Sequence, residues 1–178
     1  MELPVKYQWL SKEGAPCMLV EAIKHYGILE HPGKGSDPNI LAWAKEVGVY
    51  GWYTDDDIPW CGLFVGVVVK RCGYPIKSDL LSALSWARFG QGVASGKEKL
   101  WDIMVFVRPG GGHVGFLVGE NSHAFLIYGG NQHNAVGFAW IDKTRLLTAV
   151  RPIYKIGEPS NVRQIVLSET GDLSINEA

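Results

Sequence analysis

Asp55-Asp56-Asp57-Ile58-Pro59-Trp60-Cys61-Gly62-Leu63-Phe64-Val65-Gly66-Val67-Val68-Val69-Lys70 is the stretch on which the fold turns. An acidic turn runs into a proline, then a cysteine, then an apolar run with no charge before Lys70. Pro59 suits the first turn of a helix, where a missing N–H costs nothing. A helix apolar on all sides must be buried, so this one is expected at the centre of the domain. Cys61 then falls in its first turn, where unpaired N–H groups and the macrodipole favour a thiolate over a thiol. Taken alone, the residue fits buried core better than it fits a nucleophile, because buried cysteines are common and usually inert.

Working outward, the sequence before this stretch reads as helical and the sequence after it as strands. Ala15 to Tyr26 forms a helix stopped by Gly27, and Ile28 to Asn39 is a Pro/Gly/Ser/Asp-rich loop. Ser36 or Asp37 caps a helix from Pro38 to Val47. The central helix ends near Cys72, with Gly73 and Pro75 as its stop. Ser78 or Asp79 begins a fourth helix through Ala87, and Gln91 to Gly96 is a glycine-rich connector. Ile103–Val107, His113–Gly119, Phe125–Tyr128, Ala135–Ile141 and Ala149–Tyr154 are short strands. Helices first and consecutive strands afterwards predict an α+β domain over residues 1–155, its buried central helix packed on an antiparallel sheet of about five strands. Residues 156–178 are expected to be a linker, at most one edge strand, and an acidic frayed tail.

Composition narrows the function. A chain of 178 residues can close one core without staples. A net charge of −1 gives no electrostatic case for nucleic acid or an anionic membrane surface as partner. No signal peptide is legible at the N-terminus, so cytoplasmic synthesis is expected, and no apolar stretch is long enough to span a bilayer. The three cysteines, Cys17, Cys61 and Cys72, are an odd number at spacings that match no zinc motif. They predict neither a disulfide framework nor a metal site, and no cofactor is implied.

A cysteine nucleophile needs a base and a group that orients the base. Of five histidines, His25, His31 and His123 fall on an exposed helix face or in turns. His113 follows three glycines and opens a strand. Strand alternation puts Gly115 and Gly119 on its face, which leaves room for the helix of Cys61 to pack close. After the next strand, Gly129-Gly130-Asn131-Gln132 offers Asn131, with Gln132 as the second choice, to accept from the imidazole and fix its tautomer. Asp55, Asp56 and Asp57 could cap the central helix, or bind an ammonium group of a substrate; they lack the spaced ligands of an EF-hand loop. Asp56, Asp57, Trp60 and Gln132 are the candidate substrate-binding residues, while the other tryptophans divide between groove and core.

Ile58-Pro59-Trp60-Cys61-Gly62-Leu63-Phe64-Val65, Gly111-Gly112-His113-Val114-Gly115-Phe116 and Gly129-Gly130-Asn131-Gln132 together resemble the cysteine peptidases of the NlpC/P60 and CHAP superfamily, in particular compact phage, prophage and bacterial members. The likeness runs from about Ala15 to Tyr154. It implies a papain-like fold and hydrolysis of amide bonds in peptidoglycan by a monomer, with Cys61 as nucleophile, His113 as base and Asn131 in the orienting position. An endopeptidase and an N-acetylmuramoyl-L-alanine amidase fit equally. A non-catalytic wall-binding or virion module, and a cysteine acyltransferase, are the alternatives. One departure is Trp101-Asp102, where the family often has Gly-Asp before the first strand.

Overall fold

The computed structural model describes residues 1–168 and 171–174. The chain is α+β, with helices in its first half and a six-stranded, wholly antiparallel sheet in its second. Helix α1 (Cys17–Ala22) is followed by a 3-10 turn at Ile23–His25, so the first predicted helix splits in two. Helix α2 (Pro38–Glu46) starts as its sequence dictates: Pro38 takes the first position, and the Asp37 carboxylate accepts from Asn39 and Ile40 N–H. Helix α3 (Cys61–Arg71) is the central one, and every residue from Cys61 to Val69 is buried. Each of its large apolar side chains contributes about 1.5–3 kcal/mol on leaving water.

The strands are β1 (Gln91–Val93), β2 (Ile103–Arg108), β3 (Gly111–Glu120), β4 (Ala124–Gln132), β5 (Ala135–Asp142) and β6 (Leu146–Arg151), in the sheet order β1-β6-β2-β3-β4-β5. The sixth strand is β1, which lies in the stretch expected to be a connector: Gly92 opposite Val150 gives no sequence signal, but β6 presents an edge for it to pair with. One face of the sheet packs on α3 through Val105, Val114, Phe116, Val118 and Tyr128; Met104, Phe106, Leu117 and Ile127 form a smaller cluster on the other. Among the described residues no helix is long and apolar enough to cross a membrane.

Three expectations are corrected. The fourth helix is a turn followed by a 3-10 stretch, Ala83–Arg88. Its ladder cannot form because the Leu80 carbonyl accepts from the Trp86 indole N–H and presses on Gly62, where a Cβ would lie 2.4 Å from the oxygen. Downstream of β6 the chain does not leave the domain. Glu120 N–H donates to the Ile165 carbonyl and Leu167 N–H to that of Glu120, so this segment runs parallel to the end of β3, while Ser174 N–H bonds Trp140. Residues 169–170 and 175–178 of the expected frayed tail lie outside the described residues. Finally, Cys17 and Cys72 form a disulfide that joins the start of α1 to the C-cap of α3 across a separation of 55 residues. Spacing carried no hint of it, because the pairing is set by how the two helices pack.

In the chain-entropy description, closing a loop of that length stabilises the fold by about 4 kcal/mol, and about 2–4 kcal/mol is usual. Cys72→Ser is therefore expected to lower the urea midpoint by that equivalent and leave the sheet intact. An unchanged midpoint would show that the packing of α1 on α3 already removes the entropy the bond was assigned.

Candidate active site

The first turn of α3 is delivered to one end of the sheet by two glycines. A Cβ at Gly62 would meet the Leu80 and Leu81 carbonyls, and a Cβ at Gly130 of β4 would lie 2.7 Å from the Trp60 ring and 2.6 Å from Phe64. Only bare Cα atoms let the helix start, the Leu80–Leu81 segment and β4 approach so closely. Trp60 is the N-cap residue of α3, and no side chain caps the helix. Cys61 follows it, buried, with the main-chain amides of Val114, Gly62 and Cys61 itself acting to favour its thiolate. Val114 is free to do this because β3 pairs with β4 only from Phe116 onward.

Val114 is the neighbour of His113. The imidazole is 1% exposed, on the β3 residue opposite Phe106, and its Nε2 lies 3.3 Å from Gln132 Oε1. Gln132 is 2% exposed, and its amide nitrogen donates to the carbonyls of Ile127 (3.2 Å) and Gly137 (2.5 Å). Those two acceptors fix which way the amide points. Its oxygen faces the ring, so Nε2 is the nitrogen that donates to it. The first turn of α3, the start of β3 and the end of β4 thus come together at one end of the sheet, where His113 bonds Gln132 and Cys61 lies by the adjacent Val114.

Asn131, expected to orient the histidine, does not do so. The β4–β5 register shifts between Gly129 and Gln132, Asn131 takes a left-handed φ of 54°, and the bulge sends the next residue to the imidazole. Asn131 is 4% exposed, and its side-chain oxygen has no hydrogen-bond partner among the described residues. The glycine face of β3 is also filled differently from expectation. A Cβ at Gly115 would meet Ile127 and Tyr128 of β4, and one at Gly119 would meet Ile165 and Leu167; α3 packs instead on the Val114/Phe116 face, with Phe64 edge-on to Phe116.

The candidate substrate residues prove to be internal, with one exception. Trp60 is fully buried and donates its indole N–H to Glu30 Oε2 at 3.1 Å, so it is core, not groove wall. Asp56 is fully buried too, and one of its oxygens accepts from the backbone N–H of His31 (2.9 Å) and Asp37 (2.7 Å), tying the 28–37 loop to the approach of α3. Asp55 accepts from Asp57 N–H, a local turn, so none of the three aspartates caps the helix. Only Asp57 is exposed. Of the tryptophans, Trp52 alone stands out in solvent, at 85% exposure. Two contributions had no sequence signal: Glu30, which reaches Trp60 across the loop, and Arg108 on the β2–β3 hairpin, whose charge favours the Cys61 thiolate.

Burial pushes the Cys61 thiol up, outweighing the nearby main-chain amides and Arg108, which act in the opposite direction. The helix start therefore does not make a resting thiolate, contrary to the expectation from its position. Because the folded protein holds this proton to higher pH than the unfolded chain, the group's contribution to stability is full below about pH 8.5 and is lost as pH rises through the folded value. Alkylation of Cys61 by iodoacetamide is accordingly expected to be slow at pH 7 and to climb through and beyond the ordinary thiol range. A labelling rate already at its plateau by pH 7 would mean a preformed thiolate.

Comparison of the chain with protein-family models, with curated proteins and with solved structures finds no match to any of them.

Proposed function

We propose that the protein is a papain-like cysteine hydrolase that cleaves an amide bond of peptidoglycan stem peptides. The observation that carries this reading is the fixed amide of Gln132, which orients the ring of His113 at the end of the sheet where Cys61 lies. A buried histidine in ordinary core has no need of a tautomer locked by a glutamine whose own nitrogen is held by two carbonyls.

The chemistry follows from these groups. Nδ1 of His113 takes the thiol proton as Sγ attacks the substrate carbonyl, so the nucleophile is generated in the attack itself, consistent with a thiol whose resting pKa is raised. The tetrahedral oxyanion is held by backbone N–H groups at the start of α3, that of Cys61 foremost. Imidazolium returns the proton to the leaving amine, and water, deprotonated by the same nitrogen, then cleaves the thioester. Gln132 accepts from Nε2–H throughout and stabilises the charged ring. A further detail supports the family likeness: Trp101, standing where related sequences often carry glycine, adopts a left-handed φ of 72°, the conformation glycine supplies without strain. The Cys17–Cys72 disulfide supports action in an oxidising compartment such as the cell envelope.

Mass spectrometry of purified peptidoglycan digested by the wild type and by Cys61→Ala tests the reading. The wild type is expected to release muropeptides with new amine and carboxyl ends, and their masses identify the bond. Cys61→Ala should fall by at least about 1,000-fold, and Gln132→Ala should lose most of kcat with little change in KM. Equal release by Cys61→Ala and wild type would sink the mechanism; transfer to an added amine without new carboxyl ends would make the protein an acyltransferase.

A further inference from the structure

The turn between α2 and α3 holds up an aromatic ring that the mechanism above does not use. Trp52 is 85% exposed, whereas Trp43, Trp60, Trp86, Trp101 and Trp140 are all buried. An indole left in water forgoes one of the largest apolar burials a side chain can offer. The ring is not loosely hung. The N–H groups of Trp52 and Tyr53 both donate to the Val49 carbonyl, at 2.8 and 2.9 Å, and Val49 N–H donates to the Ala44 carbonyl at 2.9 Å. Val49 and Tyr53 are buried, and the Tyr53 hydroxyl donates to the Ile58 carbonyl at 3.0 Å. Both ends of the turn are therefore seated in the core, and only its crown, Tyr50 to Trp52, faces outward. Tyr50 is half-exposed, with the Lys45 ammonium 4.6 Å from its ring centroid. Among the described residues no hydrogen bond, ring contact or cation contact engages the indole of Trp52.

The surroundings select what such a ring would meet. The stretch Val49 to Asp57 carries three carboxylates and no lysine or arginine, which disfavours an anionic lipid surface or a nucleic acid. Two rings make a patch far smaller than the roughly 800 Å2 that a stable protein partner covers on each side. A neutral sugar ring fits both limits. Its axial C–H groups lie flat on the electron-rich face of an indole, and its hydroxyls at the rim donate to carboxylates such as the exposed Asp57. Burial and the charges of Asp56, Glu30, Asp55 and Cys61 hold the Tyr53 phenol protonated, so the turn lies within electrostatic reach of the nucleophile.

We propose that Trp52 is the platform of a sugar subsite that takes an N-acetylhexosamine ring of a β-1,4-linked glycan. The proposal rests on the hydrolase reading only for the source of that glycan, the strand from which a stem peptide hangs. Trp52 would hold the strand while the peptide reaches Cys61, a part in substrate binding and not in the reacting atoms.

The test uses the intact protein and the β-1,4-linked hexamer of N-acetylglucosamine, a probe that contains no peptide. Isothermal titration is expected to show saturable binding, and the bound hexamer should shield the acrylamide-accessible part of the tryptophan emission. Trp52→Ala should weaken binding at least about tenfold while keeping the wild-type unfolding midpoint, because the side chain it removes is exposed. Trp52→Phe, which keeps an aromatic face, should bind within about fivefold of the wild type. The proposal is overturned if the wild type shows no saturable binding, or if Trp52→Ala binds the hexamer as the wild type does. It is equally overturned if phosphatidylcholine vesicles shield Trp52 and the hexamer does not, since the turn would then be a lipid contact. None of these readouts involves hydrolysis, so failure here leaves the peptidoglycan hydrolase reading standing, and failure of that reading leaves this result intact.

Discussion

The constraint on which the site depends is the seating of the first turn of α3 on bare backbone, at Gly130 of β4 and against the Leu80 and Leu81 carbonyls at Gly62. Everything at the site depends on it. A methyl group at either glycine would overlap backbone, or the Trp60 and Phe64 side chains, by more than soft contacts absorb, and would tip the helix start away from the sheet. Cys61 would then lose the Val114 amide, and with it the registration to His113, the next residue along β3. A shift of about 1 Å at such a point is enough to remove most of the advantage of a positioned base.

That same close packing decides the electrostatics. Excluding water raises the cost of a bare thiolate faster than the nearby main-chain amides and arginine lower it, so the resting sulfur keeps its proton. For a nucleophile this shifts the burden to the base, and the base is where the structure spends its polar groups. Gln132 uses both donors of its amide on main-chain carbonyls so that its oxygen has one orientation left. An asparagine at that position would be one methylene shorter and could not span from the bulge to both carbonyls and the ring together.

Local chemistry was legible in the sequence; long-range closure was not. The apolar run of α3 and the Asp37–Pro38 start of α2 each rest on residues close in sequence, and each appears in the structure. Asn131 and Gln132 could not be separated because the choice lies with a bulge, a mismatch in residue count between β4 and β5 that neither strand encodes alone. Among Asp55, Asp56 and Asp57 one cap was expected, since aspartate before a helix is often one. Asp56 instead serves backbone amides 19 and 25 residues earlier, which no local pattern reveals. The missed disulfide and the missed strand β1 share that cause, for each is a pairing created by tertiary packing.

The two ends of α3 are braced by different means, and the difference bears on where such a protein would work. At the C-terminal end Arg71 bonds Glu46 and Glu21, and the disulfide ties Cys72 to Cys17. At the N-terminal end the brace is the buried Asp56 carboxylate, which accepts from His31 and Asp37 N–H. A disulfide persists only where thiols are oxidised, a condition that holds outside the cytoplasm and fails within it. Under the proposed function this has a direct consequence: a hydrolase made beside its own producer's envelope would lack the disulfide brace on the nucleophile helix until it reached the compartment that holds its substrate. Arg71 and its two glutamates, which need no oxidant, would keep the helix folded in the meantime.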